Sequence, residues 1–396
     1  MNAPQHLVAD GATDRPRFGE FFAGAGMVRA GLGPGWTCAF ANDLDPTKLA
    51  TYRANWGDAH LREGDIWGVD PSEAPGRLDL AWASFPCQDL SLAGFGRGLG
   101  READAAPTRS GAFWGFWRLM RALGAEGRAP KVIALENVVG ALTSHGGRDF
   151  AALAAALAAE GYRFGAFVAD ARAFLPQSRP RMFAVATAPD VAVPEALRRD
   201  DPDPRWHTGP VLRARAALDP ATAGAWVWWR LPAPDCAPPP LDALIDADTE
   251  GVRWHSPEET ARLIGLMAPL HRAKLDAARA ASRASGGRVV GTIYRRTRPG
   301  PDGVGRQRVE IRFDGTAGCL RTPAGGSSRQ TLALVEDGRA RTRLLSAREA
   351  ARLMGLPDDF RLPARYTDAY RVAGDGVAAP VVRFLAESLL EPLLAR

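Results

Sequence analysis

Short apolar runs recur along the first half of the chain, and each closes on a cluster of small, polar or charged residues. Residues 18–22, 37–41, 78–83, 132–135 and 182–187 carry little but Val, Ile, Leu, Phe, Ala and Met with a few exceptions, which predicts buried strands. Between them the spacing changes. Phe113, Phe116, Met120 and Leu123 recur at helical intervals, as do Leu153 and Leu157 among their alanine neighbours. Strands alternating with helices predict an α/β fold, a largely parallel sheet covered on both faces, with ligands bound at the carboxyl ends of its strands.

From residue 188 the pattern breaks. Pro189, Pro194, Pro202, Pro204, Pro210 and Pro220 interrupt any long element, and the run Pro238-Pro239-Pro240 follows. This predicts a smaller, irregular domain holding one helix over residues 257–283 and strand-like pieces at 289–294 and 309–313. Trp226, Trp228 and Trp229 are expected to pack in that domain's core, as tryptophan clusters usually do. Regular structure returns near Leu344. Ser346 and Glu349 have capping-box spacing, and the helix they open should stop at Gly355-Leu356-Pro357. A final amphipathic stretch, 379–394, should pack back on the first domain. The expected division is a flexible N-terminus (1–17), a first domain (18–187), a smaller second domain (188–342) and a C-terminal segment (343–396) that returns to the first domain.

Composition changes this picture little. The chain has 396 residues, 46% hydrophobic and 24% charged, the balance of an ordinary globular enzyme. Neither a secretory leader nor a membrane span is expected, so the reading is cytoplasmic. Cys38, Cys87, Cys236 and Cys319 are scattered without metal-ligand spacing, so no metal is expected. Among 50 basic residues only Lys48, Lys131 and Lys274 are lysines. Arginine is suited to forked contacts with phosphate and guanine. Residues 271–331 concentrate thirteen Lys/Arg against four acids, which makes that segment the expected site of nucleic-acid contact.

The candidate chemistry sits at the strand ends. Phe22-Ala23-Gly24-Ala25-Gly26 is a glycine turn between a strand and a helix, with Asp43 at the end of the next strand and Asp65-Ile66 beyond it. Such a turn also permits a nicotinamide enzyme, but Arg29 occupies the third glycine position of that fingerprint. Phe85-Pro86-Cys87-Gln88 follows one strand, Glu136-Asn137 ends another, and Gln177-Ser178-Arg179-Pro180-Arg181 precedes a third.

Taken together and in this order, these motifs resemble the cytosine-C5 DNA methyltransferase family. The resemblance covers residues 18–187 and 343–390. It implies a Rossmann-like class I methyltransferase domain with a mostly parallel sheet, a smaller target-recognition domain, and S-adenosylmethionine as cofactor. It assigns Phe22, Gly24, Gly26, Asp43, Asp65, Ile66 and Asp375 to that cofactor. Cys87 would add to C6 of the cytosine, activating C5 by covalent catalysis. A free thiol titrates near ~8.5, and Arg179 and Arg181 are the expected source of the electropositive surroundings it needs. Glu136 would donate to the ring N3. Pro86, Gln88, Asn137, Gln177 and Arg321 are the expected substrate contacts, and Gly94, Gly96, Gly98 and Gly100 read as a loop closing over substrate. Because a stacked cytosine is inaccessible, the base would be flipped out. Duplex DNA is the expected partner of a monomeric chain, with a cognate restriction endonuclease as functional counterpart. Three departures stand out: Met27 replaces a usual glycine, Phe85 a usual proline and Asp375 a usual asparagine. The other readings are an RNA (tRNA) cytosine methyltransferase, a non-catalytic DNA-binding relative and, last, an oxidoreductase. The long insert favours duplex DNA.

Overall fold

The computed structural model describes residues 15–86, 111–299, 303–320 and 329–395. Cys87, Gln88, the glycines from Gly94 to Gly100, and Arg321 lie outside the described residues. The larger layer is a seven-stranded sheet of β1 (Arg17–Phe21), β2 (Thr37–Asp43), β3 (Leu61–Glu63), β4 (Leu80–Ala83), β5 (Val132–Val138), β6 (Arg163–Asp170) and β7 (Pro180–Thr187), in the order β3-β2-β1-β4-β5-β7-β6. All neighbours pair parallel except β7, which is antiparallel to both β5 and β6.

The apolar runs are continuous because both faces are covered. Leu80, Trp82, Val132 and Ala134 join one apolar cluster, and the alternating Ala81, Ala83, Ile133 and Leu135 join another. Helix α1 (Met27–Leu32) packs in the first cluster. Helices α3 (Ala112–Ala125) and α4 (Arg148–Ala159) pack in the second, while α2 (Pro46–Trp56) connects β2 to β3. The pattern did not reveal β3, which is only three residues long, or β6, whose apolar run is broken by Gly165. A Cβ on Gly165 would lie 1.9 Å from the Val227 carbonyl oxygen, so the glycine admits a neighbouring chain.

That neighbour corrects the tryptophan expectation. Trp226, Trp228 and Trp229 do pack, but against the edge of the main sheet. Trp229 is fully buried and its Nε1 donates to the carbonyls of Gly165 and Val185, both at 3.2 Å. Trp226 lies edge-on to Phe164. Two short strands, β8 (Arg198–Arg199) and β9 (Trp228–Trp229), and two short helices, α5 (Gly209–Ala216) and α6 (Pro220–Gly224), complete this edge.

The region expected to be irregular contains a second, antiparallel sheet. Its strands are β10 (Val289–Pro299), β11 (Gly305–Arg312), β12 (Thr331–Glu336) and β13 (Arg339–Leu344), ordered β11-β10-β12-β13. The β12–β13 hairpin turns on Asp337-Gly338, both at positive φ, the two-residue signal that favours such hairpins. The helix expected over 257–283 is two: α7 (Pro257–Gly265) and α8 (Pro269–Ser285). Pro269 forces Ala268 into extended geometry, ψ 159°, which no helix can cross.

The chain returns through α9 (Ala347–Arg352), α10 (Tyr366–Asp375), α11 (Ala379–Leu385) and α12 (Glu391–Leu394). The capping box is present: Glu349 N–H donates to Ser346 Oγ and Ser346 N–H to Glu349 Oε2. Helix α11 packs on α1 so closely that a Cβ on Gly31 would lie 2.5 Å from Val382. Arg383 donates to the Leu32 carbonyl, and Trp36 to Glu391.

Candidate active site

Strands β1 to β5 are parallel, so their carboxyl ends share one edge of the sheet. There β1 is followed directly by Phe22, an aromatic residue held at φ 58°. A non-glycine residue in this conformation stores strain that surrounding structure must hold, a feature that concentrates at ligand sites. Gly24 and Gly26 follow at φ 58° and 78°. Their uses differ. A Cβ on Gly26 would lie 2.3 Å from the Trp56 indole nitrogen. A Cβ on Gly24 would meet only the Lys48 side chain at 4.0 Å, which leaves open space beside the backbone. Asp43 holds the turn in shape: one carboxylate oxygen accepts from Gly24 N–H at 2.8 Å and the other from Asp45 N–H at 2.8 Å. Its neighbour Asn42 donates to the carbonyls of Arg62 and Gly64, which fixes the end of β3. Asp65 is exposed at the start of the next turn, accepting from Trp67 N–H, while Ile66 is buried.

Asp375, the last residue of α10, reaches this edge and pairs with Lys48 at 3.0 Å. Burial works against the charge of Lys48, but the carboxylates of Asp375 and Asp43 outweigh it and its pKa is raised. Sequence reading missed Lys48. Met27 and Gly376 are linked: a Cβ at 376 would lie 1.9 Å from the Met27 sulfur, so the methionine fits where the facing residue has no side chain.

Beneath the turn, Glu20 is buried and accepts from Val28 N–H at 3.1 Å. Burial raises its pKa to about 8, against smaller opposing effects from that hydrogen bond and from Arg29. The raised folded-state value means that its stabilising effect is complete below its unfolded pKa near 4.5. The effect is lost as pH rises through about 8. Glu20→Gln should therefore gain stability relative to the native chain across that window, by up to about 5 kcal/mol, and level off above it. Denaturant midpoints at several pH values check this; a pH-independent difference would contradict it.

The reaction end lies at β4, β5 and β7. Because β7 runs antiparallel, its amino end meets the carboxyl end of β5, with Val138 opposite Arg181. Arg181 Nε lies 3.2 Å from Glu136 Oε1, and both side chains are largely buried. Asn137 donates from Nδ2 to the Phe85 carbonyl at 3.1 Å, tying β5 to the segment that leads through Pro86, half-buried, towards Cys87. Glu136, Asn137, Arg181 and Pro86 thus come together.

Gln177 and Arg179 are placed differently from expectation. Gln177 is fully buried and donates to the Leu353 carbonyl at 2.6 Å. Arg179, 2% exposed, donates to the carbonyls of Gly374 and Gly376 at 2.8 and 2.6 Å, to the Leu320 carbonyl and to the Cys319 sulfur. Burial, then the neighbouring charge of Arg181, lowers its pKa from the usual arginine value. These two side chains clip the returning C-terminal segment to the sheet edge and face protein. Their strand-end position suggested a ligand, and no local signal marks them as fasteners. By gripping the carbonyls on either side of Asp375, Arg179 sets that carboxylate beside Lys48.

The sheet, the glycine turn at β1 and the carboxylate–arginine pair at β5 define an α/β enzyme of the methyltransferase class. The comparisons agree. The model of the family described as C-5 cytosine-specific DNA methylase matches residues 16–213 and 281–391, and the chain belongs to that family. It is a DNA cytosine-C5 methyltransferase. The Type II methyltransferase M.BsuFI of Bacillus subtilis is 26% identical over 380 residues, covering 95% of this chain and 73% of the relative. The Type II methyltransferase M.NgoBI of Neisseria gonorrhoeae is 26% identical over 365 residues, covering 92% and 89%. Among solved structures, the S. pombe Dnmt2 methyltransferase shares the fold with TM-score 0.60 at 16% identity, over 96% of this chain and 99% of that one. Among the described residues no helix is long and apolar enough to cross a membrane.

Proposed function

We propose that the chain methylates C5 of a flipped-out cytosine in a specific duplex DNA sequence through a covalent Cys87 adduct, with S-adenosylmethionine as methyl donor. The observation that carries this reading is the Arg181–Glu136 pair at the end of β5. Asn137, next along the strand, holds the Phe85 carbonyl two residues before Cys87. Cys87 is a nucleophile for C6. As its sulfur adds, charge accumulates on the ring, and Glu136 relieves it by donating to N3, held in place by Arg181. Addition turns C5 into a carbon nucleophile, the step that makes an unreactive position reactive. Once C5 carries the methyl group, N3 returns its proton to Glu136, water takes the C5 proton, and the electron pair of that C–H bond re-forms the C5–C6 double bond as Cys87 leaves as a thiolate.

The residues present fit the cofactor. Gly24 leaves room beside the backbone, Phe22 offers an aromatic face at a strained strand end, and each Asp43 oxygen has capacity beyond its single backbone donor. Phe22, Asp65 and Ile66 would hold the adenine, Asp43 the ribose, and Gly24 with Gly26 the amino-acid end beside Lys48 and Asp375. S-adenosylmethionine, when bound, supplies an electrophilic methyl group. Gln177 is read as fastening the C-terminal segment, while Gln88 and Arg321 remain proposed substrate contacts. A monomer acting in the cytoplasm beside a cognate restriction endonuclease completes the reading, and the Type II relatives support that counterpart.

Transfer of tritiated methyl from S-adenosylmethionine to duplex DNA, compared with tRNA, tests the substrate. Cys87→Ala is expected to lose transfer entirely, and native protein to form a denaturant-stable adduct with 5-fluorocytosine DNA. Transfer surviving in Cys87→Ala would remove the mechanism.

A further inference from the structure

The glycine turn after β1 is pinned peptide by peptide. Gly24 and Gly26 flank Ala25, both at positive φ. Glycine adopts left- and right-handed backbone about equally, so the peptide units between them can flip unless a partner holds them. Asp43 holds the Gly24 N–H at 2.8 Å. The unit joining Ala25 to Gly26 is held at both ends. Gly26 N–H donates to the Ala23 carbonyl at 2.9 Å, and the Ala25 carbonyl accepts from Trp56 Nε1 at 2.9 Å. Trp56 is the last residue of α2, 31 residues further along the chain.

Trp56 is itself held. Phe360 meets its ring edge-on, with centroids 6.4 Å apart. The Arg29 guanidinium lies 4.9 Å from the ring centroid, a distance at which a cation is attracted to the indole face. Arg29 is fixed in turn by Tyr52 Oη at 3.3 Å and His60 Nε2 at 2.5 Å. Burial, then the charge of Arg29, lowers the pKa of His60 to about 4, so near neutral pH the imidazole is uncharged and can accept from the guanidinium. Arg29 stands where a dinucleotide fold keeps its third glycine, and there it steadies a tryptophan.

The indole N–H commits the Ala25 carbonyl to the protein and leaves the open space beside Gly24 to a ligand. A flipped Ala25–Gly26 unit would lose both of its bonds at once and present a different edge to that space. We propose that Trp56 is a positioning residue for S-adenosylmethionine. Its N–H fixes the Ala25–Gly26 peptide in the orientation that receives the amino-acid end of the cofactor, and Arg29 acts through it by holding the ring. This role rests on the reading of the turn as the cofactor's seat.

Equilibrium dialysis with S-adenosylhomocysteine tests it, alongside steady-state methyl transfer to sheared bacterial genomic DNA and melting curves as a check on folding. Trp56→Phe keeps a ring for Arg29 and Phe360 but has no N–H. It is expected to bind S-adenosylhomocysteine about 3–10-fold more weakly, the effect of one hydrogen bond. KM for S-adenosylmethionine should rise by the same factor while kcat at saturating cofactor stays within about twofold, a split that general loosening of the fold does not produce. Arg29→Met should weaken binding less, and adding it to Trp56→Phe should cost little more, because the bond it serves is already gone. Asn55, the neighbour of Trp56, bonds the Arg361 backbone instead of the turn, so Asn55→Ala should match native affinity. Native affinity in Trp56→Phe, an equal loss in Asn55→Ala, or a kcat that falls as far as the affinity overturns the proposal. If native protein binds no S-adenosylhomocysteine, the cofactor assignment falls as well; if it binds and Trp56→Phe binds equally, only the positioning role falls.

Discussion

Glu136→Gln is expected to lower methyl transfer by about 10²–10⁴-fold, the range associated with one positioned proton donor. Glutamine keeps an oxygen for Arg181, whose Nε lies 3.2 Å from the carboxylate, so the local fold and DNA affinity should change little. What it cannot do is deliver a proton to N3 as charge accumulates on the ring. The deficit should therefore appear in kcat far more than in KM, and adduct formation with 5-fluorocytosine DNA should slow by a similar factor. Single-turnover transfer of tritiated methyl measures it. A variant within tenfold of native would mean that the ring is activated without this carboxyl.

The second large effect concerns stability. Arg343 and Glu349 form an ion pair with both side chains wholly buried. Arg343 donates to Glu349 at 2.6 and 2.8 Å and to the Asp246 carbonyl at 2.8 Å, while Glu349 also accepts from Asp246 N–H at 2.9 Å. Arg343→Met leaves a carboxylate in the interior without its counter-charge. Breaking a buried pair from one side costs about 3–5 kcal/mol, against about 0–1 for an exposed one. The double variant Arg343→Met, Glu349→Leu should recover part of that loss, because no unpaired charge is then buried. Chemical denaturation of the singles and the double measures the coupling. A loss under 1 kcal/mol in Arg343→Met would show that water reaches the pair.

Much of the architecture was legible because it is written locally. The central strands are unbroken apolar runs since both faces of the sheet are covered. Ser346 and Glu349 satisfy each other across three residues, and Gly24 and Gly26 mark a turn that other residues adopt only under strain. The Asp337-Gly338 hairpin is written just as locally, in two residues that tolerate positive φ. Strand β6 was hidden because Gly165 yields its side-chain space to Val227, a contact made 62 residues further along the chain.

The site was legible as a set of residues, less so as an arrangement. The reversal of β7 brings Arg181 onto Glu136; sequence order alone leaves its direction open. Gln177 and Arg179 belong to the same motif, yet spend their hydrogen bonds on Leu353, Leu320, Gly374 and Gly376. Glu349 was readable as a helix cap, but its second partner, Arg343, meets it only where the helix docks against Asp246.

By itself, then, the sequence determined the strands, the turns, the caps and the inventory of reactive groups, because periodicity and hydrogen bonds between near neighbours decide those. Tertiary structure alone decided which arginine faces Glu136, which are consumed as fasteners, and which lies over Trp56 beside the glycine turn. Those outcomes depend on strand direction, register and burial, which bring together groups far apart along the chain.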